Sequence, residues 1–162
     1  MFFSDEEKWK NKIINEIKEI IIENRSVLLI CSNISMGENF VNILKKNGII
    51  NIKKYFILEH QYVVEEVLEQ KYVIIATNLA GRETFFRMSK DLEEAGGLHV
   101  ILSFIPINQR VEDQNLGRVI RNGQKYSYSL IFMYKSDYPI LTKELIRKKR
   151  EVDEREKVKY FI

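Results

Sequence analysis

Tyr72-Val73-Ile74-Ile75-Ala76-Thr77-Asn78-Leu79-Ala80-Gly81-Arg82-Glu83-Thr84-Phe85-Phe86 is the stretch on which the reading of the whole chain turns. An apolar run from Tyr72 to Ala76 breaks into a polar loop that holds Asn78, Gly81, Arg82 and Thr84. A run without polar alternation suits a strand covered on both faces, the situation of a central strand in a parallel sheet. The loop that follows such a strand is where an α/β sheet keeps its ligand contacts. Glu83 and Phe85 sit inside that loop, and neither suits close approach to a phosphate.

The same alternation of buried strand and amphipathic segment extends on both sides. Upstream, Ser4 with Glu7 has the form of a capping box, and Trp9, Ile13, Ile17, Ile20 and Ile21 recur at helical spacing to about Asn24. Val27 to Cys31 is a second continuous apolar run. Ser35 with Glu38 reads as another capping box, opening a helix with Phe40, Val41, Ile43 and Leu44 inward that stops at Asn47-Gly48. Asn51 to Leu58 reads as a strand, and Glu59 to Gln70 as a short helix with Val63, Val64, Val67 and Leu68 inward. Downstream come a helical turn from Met88 to Glu94, a break at Gly96-Gly97 and a strand from Leu98 to Leu102. A helix from Asn108 to Arg121 ends at Asn122-Gly123, and Tyr126 to Tyr134 forms the last strand. Strands separated by helical segments imply right-handed crossovers and a mainly parallel sheet with helices on its faces.

One domain accounts for residues 1–138, leaving 139–162 as a charged helical extension in which Arg147 with Glu151, Arg150 with Glu154 and Asp153 with Lys157 lie one turn apart. A chain of 162 residues buries a core without help from disulfides or metals. Its apolar runs fall short of the roughly 18 residues that span a bilayer, and the acidic start, Ser4 to Glu7, argues against a leader. These features predict a soluble intracellular protein, cytoplasmic or cytoskeleton-associated. The net charge of +3 is interleaved with acid over most of the chain, so it gives no case for nucleic acid. Cys31, the sole cysteine, falls in an apolar run and reads as a buried free thiol of a reducing compartment, not a ligand or nucleophile. His99 alternates with apolar neighbours and has no carboxylate or second histidine beside it in sequence, so it reads as structural.

Val73-Ile74-Ile75-Ala76-Thr77-Asn78-Leu79-Ala80-Gly81-Arg82 closely resembles the fifth helicase motif of the SecA preprotein-translocase ATPase family, which reads Ala-Thr-Asn-Met-Ala-Gly-Arg-Gly-Thr-Asp in this loop. Glu94 to Ile101 looks like the family's Gly-Gly-Leu-x-Val-Ile strand, and Gln114-x-x-Gly117-Arg118-x-x-Arg121-x-Gly123 is similar to its sixth motif. Arg110 falls where the family has an arginine before that motif, and Lys8-Trp9 with Ser26-Val27-Leu28-Leu29 looks like the start of the family's second nucleotide-binding domain. Order and spacing agree from about residue 8 to residue 134.

The resemblance implies a three-layer RecA-like lobe, the second of the two that clamp ATP in such motors. In the family the first lobe brings the P-loop and the metal-binding acid, and the second an arginine finger and loop contacts. The positions that match are Gly81, Arg82, Thr84, Gln114, Gly117, Arg118 and Arg121. This chain contains no Gly-x-x-x-x-Gly-Lys-[Ser/Thr]. The family glycine is Glu83 and the family aspartate is Phe85. At an effective dielectric near 20, a like charge at about 4 Å costs on the order of 4 kcal/mol, so this loop is a poor neighbour for a nucleotide.

These departures predict that the nucleotide-binding positions are vestigial, that no residue is catalytic, and that neither a metal nor, in the isolated chain, ATP is bound. The expected role is then a catalytically inactive, structural or protein-interaction subunit of a larger assembly. Its contact surface would be Phe104, Ile105 and Ile107 with Leu141, Leu145 and Val152 of the extension. An alternative keeps Arg118 or Arg121 as a finger that completes an ATPase in trans with a separate P-loop protein. The arginines, Arg82 included, could instead be paired with Glu83, Glu112 and Asp113. Nucleic acid is not expected as a partner, since Tyr126 and Tyr128 lie in strand alternation and do not form a stacking platform.

Overall fold

The computed structural model describes residues 2–3, 5–56, 67–77, 86–104 and 123–133. The expected strand end at 57–58, the helix over 59–66, the helix over 108–121 and the extension at 139–162 lie outside the described residues.

Within them the element order is β1 (Phe2–Phe3), α1 (Glu6–Ile22), β2 (Ser26–Cys31), α2 (Ile34–Lys46), β3 (Ile52–Tyr55), β4 (Val67–Leu68), β5 (Val73–Thr77), β6 (Arg87–Met88), α3 (Lys90–Glu94), β7 (Leu98–Leu102), β8 (Tyr126–Leu130) and β9 (Phe132–Met133). Five strands form one sheet in the order β3-β5-β2-β7-β8, and each of its neighbouring pairs is parallel. The two smaller sheets pair β1 with β9 and β4 with β6, also in parallel.

The alternation of side chains along each strand makes two separate cores. Val27, Leu29 and Cys31 of β2, Val73 and Ile75 of β5 and Ile101 of β7 face α1 and α2, where they meet Trp9, Ile13, Ile17, Phe40, Val41 and Leu44. Leu28, Ile30, Ile74, Ala76, Leu98, Val100 and Leu102 face the other way, onto Leu68, Phe86 and Leu92 of α3. The architecture is therefore helix, sheet, helix, as expected for an α/β chain whose strands read as continuous apolar runs. Burying each such Leu or Ile contributes about 1.5–3 kcal/mol, which is why the uninterrupted runs end up in the middle of the sheet.

Local details differ from the sequence reading in instructive ways. The first helix is capped by Asp5, whose carboxylate accepts from the amides of Glu7 at 2.8 Å and Lys8 at 3.1 Å. A carboxylate at a helix amino end gains from the macrodipole as well as from the hydrogen bonds, and Asp5, not Ser4, takes the position. The second helix is likewise capped by Asn33, which accepts from the Met36 amide at 2.9 Å, so Ser35 lies inside the helix. The first helix closes two residues early because Asn24 adopts φ 58°, a left-handed turn that asparagine tolerates. Val67 and Leu68 are not helical: they pair with Arg87 and Met88, and the Leu68 carbonyl accepts from the Ser89 amide at 2.8 Å. The last strand is broken at Ile131, and its second half leaves the main sheet to pair with Phe2–Phe3. Trp9 marks that departure, donating its indole Nε1–H to the Ile131 carbonyl at 2.9 Å.

Candidate functional site

All five strands of the main sheet run the same way, so their carboxyl ends share one edge, and β2 and β5 send the chain to opposite faces from that edge. Adjacent strands whose continuations diverge leave a crevice between them, the usual ligand position in an open α/β sheet. Cys31 and Thr77 are register partners at its floor. Ser32, Asn33 and the amino end of α2 follow on one side, and Ser103 closes the other, donating from Oγ to the Ile30 carbonyl at 2.9 Å. Ser103 also contacts the Met36 sulfur at 3.7 Å. Thr77 is buried, with its Oγ1 3.5 Å from the Phe56 carbonyl oxygen.

Chemically the described residues of this rim are neutral. Burial pushes the Cys31 thiol up to about 12 against a small opposing effect of its hydrogen bond with Ser103, so the sulfur stays protonated and is neither nucleophile nor metal ligand. Hydroxyls and an asparagine can position a polar ligand, but Cys31, Ser32, Asn33, Thr77 and Ser103 offer no cation to hold a phosphate and no carboxylate to hold a metal. Among the described residues no group of three or more His, Cys, Asp or Glu could bind a metal ion.

Of the positions expected to contact nucleotide, Gly81, Arg82, Thr84, Gln114, Gly117, Arg118 and Arg121 lie outside the described residues, as do Ile105, Ile107, Leu141, Leu145 and Val152. Phe104 is described. It is partly buried and packs against the core beneath α3, so a share of its surface is committed inside the molecule.

A second polar cluster sits near the amino ends of β7 and β8. His99 shares a side of its strand with Ile101 and therefore faces α1, where its Nε2 lies 2.9 Å from Glu16 Oε1. Its Nδ1 lies 2.6 Å from Ser127 Oγ. Arg25 completes the group, donating from Nη2 to Ser127 Oγ at 2.6 Å and from Nε to the Gly97 carbonyl at 3.0 Å. Lys12 Nζ is 3.3 Å from the other Glu16 oxygen, and Arg25 Nη1 is 3.7 Å from Glu23. His99 thus does have a carboxylate beside it, 83 residues away in sequence. No local pattern announces such a partner; the only hints were a polar residue on the inward stripe of α1 and another within an apolar strand.

Carboxylate, imidazole and hydroxyl in series have the order of a nucleophilic triad. Here the serine oxygen is held by Arg25, and His99 is 5 % exposed. The cluster is a closed network, in which Nε2 pairs with Glu16, Nδ1 pairs with the Ser127 hydroxyl, and that hydroxyl oxygen receives from Arg25. Burial by itself raises the Glu16 carboxyl; hydrogen bonds from His99 and Ser129, the charge of His99 and the hydrogen bond from Lys12 more than offset it, holding the group at about 2. A carboxyl lowered from 4.5 contributes stability that is fully present above pH 4.5 and is lost as the pH falls towards 2. Discounted for solvent screening, that contribution is about 2 kcal/mol. Urea unfolding followed by Trp9 fluorescence should show this decline between pH 4.5 and 2 in the native chain, and a flatter profile in Glu16→Gln. Identical acid profiles would disprove the assignment.

Comparison with known proteins supplies the context for both sites. The family description that matches residues 1–93 is the SecA P-loop domain. A protein translocase subunit SecA 2 of Nitrosospira multiformis is 30% identical over 145 residues, covering 87% of this chain and 21% of that relative. Among solved structures, the C-terminal part of the Fun30 ATPase domain superposes with a TM-score of 0.55 at 13% identity, covering 94% of this chain and 57% of that one. Domain 2 of the DEAD-box helicase Mss116p, bound to an RNA duplex, gives 0.55 at 14% identity, covering 84% and 54%. These structural likenesses concern the fold, which is that of RecA-like helicase domains. The chain spans about a fifth or less of the length of the curated relatives it matches.

The matched family corrects one expectation outright. The departures at Glu83 and Phe85 and the missing P-loop motif predicted a protein outside enzymology, yet the family description is that of the P-loop domain of a translocase ATPase. The physical reason for the error is that phosphoryl transfer draws on several separate groups, of which a P-loop is one. Lack of that one motif therefore does not take a chain out of enzymology. A cytoskeletal association finds no support among these matches.

Proposed function

The chain belongs to the SecA family, and on that premise we propose that it is the arginine-bearing lobe of an ATP-driven protein translocase, completing an ATPase site whose P-loop lies on a separate lobe. The observation that carries this reading is the topology around β7 and β8. These are parallel neighbours, with Leu98 opposite Tyr126 and Leu102 opposite Leu130, so the chain between them must cross from the carboxyl end of one to the amino end of the other. Gln114, Gly117, Arg118 and Arg121 belong to the sequence between these two strands.

Phosphoryl transfer asks the protein chiefly for positioning and for cations near the charge of the transition state. Among the described residues of the crevice rim, Cys31, Ser32, Asn33, Thr77 and Ser103 bring no charge, which suits a surface that covers a nucleotide more than one that grips it. With Glu83 and Phe85 in the loop after β5, direct nucleotide contacts there are reduced, and Arg118 and Arg121 become the groups with chemistry to offer. The isolated chain should therefore show no measurable ATP binding in a calorimetric titration. Its partners in this reading are the P-loop-bearing lobe and the other proteins of a translocase, inside the cell. The test is ATP turnover by the P-loop-bearing lobe with and without this chain: stimulation that disappears in the double variant Arg118→Ala/Arg121→Ala supports the reading, and stimulation untouched by it ends it.

A further inference from the structure

We propose that the amino edge of the main sheet is a docking surface for an acidic peptide segment of a partner protein, one that carries aliphatic side chains among its carboxylates; this is independent of the function proposed above. The surface starts from two isoleucines. Ile22 and Ile50 are each 79% exposed, the highest values among the described large hydrophobic residues. Their neighbours Ile21 and Ile49 pack against the first core, so each pair sends one side chain inward and leaves the other in water.

Three turns join these residues into one surface. Lys18 Nζ donates to Asn47 Oδ1 at 2.9 Å, and Ile22 lies one helical turn beyond Lys18 on the same side of α1, which aims it at the loop that carries Ile50. The Asn51 carbonyl accepts from the Val73 amide at 2.9 Å and the Arg25 carbonyl from the Lys71 amide at 3.2 Å, so the turn before β5 links the other two. The loop after α2 stands clear: Gly48, at φ +80°, has nothing among the described residues within 4 Å of where a Cβ would lie.

The charge around the isoleucines selects the partner. Lys45, Lys46, Lys53 and Lys54 are the only charged residues from Asn39 to Phe56. Lys54 is held by Glu38 at 3.0 Å, and Lys53 lies over the Tyr72 ring at 4.6 Å. Among the described residues no carboxylate pairs with Lys45, Lys46 or Lys71. The macrodipole of α2 explains lysines in its last turn, but not isoleucines left in water beside them. A nucleic acid would meet the lysines and leave the isoleucines unmatched. An anionic membrane would press a surface of one sign on Glu23 and Glu69, which are exposed at the same edge. A peptide answers both features, since it sets carboxylates singly against lysines and lays aliphatic side chains between them.

The test is fluorescence anisotropy of the full chain with a fluorescein-labelled synthetic peptide of glutamates with interspersed leucines, and with its analogue that has glutamine for every glutamate. The glutamate peptide is expected to bind about tenfold tighter than the analogue at low salt, and to lose that advantage as ionic strength rises. Ile22→Ser/Ile50→Ser and Lys45→Glu/Lys46→Glu should each weaken its binding about tenfold. Ile34→Ser, exposed at the opposite edge of the sheet, should leave it unchanged. All these side chains are exposed, so the variants should unfold with the native chain in a thermal scan read by Trp9. No binding of either peptide, equal binding of both, or native affinity in both double variants overturns the proposal. Phosphatidylglycerol vesicles that bind through the same residues while the glutamate peptide does not would assign the surface to lipid and overturn it as well.

Discussion

Gly97→Ala is expected to destabilise the chain by roughly 2–5 kcal/mol, the sum of left-handed strain of about 1–2 kcal/mol and over-packing of about 1–3 kcal/mol. Both causes act at the same atom. The backbone has φ +76°, where an L side chain is strained, and the added Cβ would lie 1.8 Å from the Lys125 carbonyl oxygen and 2.6 Å from its carbonyl carbon. Backbone is what it meets, so no rotamer change relieves the overlap. Relief requires β8 to move away from β7, which would lengthen the Arg25 and His99 bonds to Ser127. Against a typical total of about 5–15 kcal/mol, the loss is a large share of the fold. Gly123→Ala is the matched control: φ there is +70°, with nothing among the described residues within 4 Å of the new Cβ, so strain is the cost it shares with Gly97→Ala. Urea unfolding read by the single tryptophan should rank Gly97→Ala well below Gly123→Ala. Equal midpoints would mean that the approach of β8 to Gly97 is not as described.

The second large effect concerns chemistry. Arg118→Ala/Arg121→Ala is expected to reduce the ATP turnover of the assembled lobes by about 10³-fold or more, the range for loss of an arginine finger. A guanidinium near the transferring phosphoryl group offers a fixed pair of donors and a charge that does not titrate. Lysine at the same positions keeps the charge and loses the fork, so the corresponding double lysine variant should recover only part of the rate. The tryptophan signal of the variant should match the native chain, since Trp9 reports the packing of α1 against Ile131 and Phe40. If the alanine variant turns over ATP at the native rate, the arginines are structural, and their pairing with Glu83, Glu112 and Asp113 becomes the better account.

Much of the fold was legible before any coordinates because it depends on local burial. Val27–Cys31, Tyr72–Ala76 and Leu98–Leu102 are apolar at every position or nearly so, and such runs have no stable place except between two layers. Trp9, Ile13 and Ile17 share one side of a helix and were bound to face the sheet. The helix caps were misplaced by one or two residues because Ser, Asp and Asn compete for the same role within a single turn, and a charge or a φ value decides among them. The short strand Val67–Leu68 was hidden for another reason: two residues carry no periodicity, and only pairing with Arg87–Met88 makes them a strand.

For the candidate site, the motif residues from Gln114 to Arg121 were visible as a pattern, and the network that holds the start of β8 was not. Glu16 looked like one more charge on an amphipathic helix, Arg25 like the end of that helix, and Ser127 like the small member of an aromatic alternation. By itself the sequence determined the succession of the five main-sheet strands along the chain, the two-sided burial of the central strands and the family, since each is written in neighbouring residues or in short motifs. Only the tertiary structure decided that Glu16, Arg25, His99 and Ser127 meet, and that Phe2–Phe3 pairs with Phe132–Met133. Hydrogen bonds between residues 83 and 102 positions apart depend on how the layers stack and on strand register, and these follow from the packing of the whole sheet.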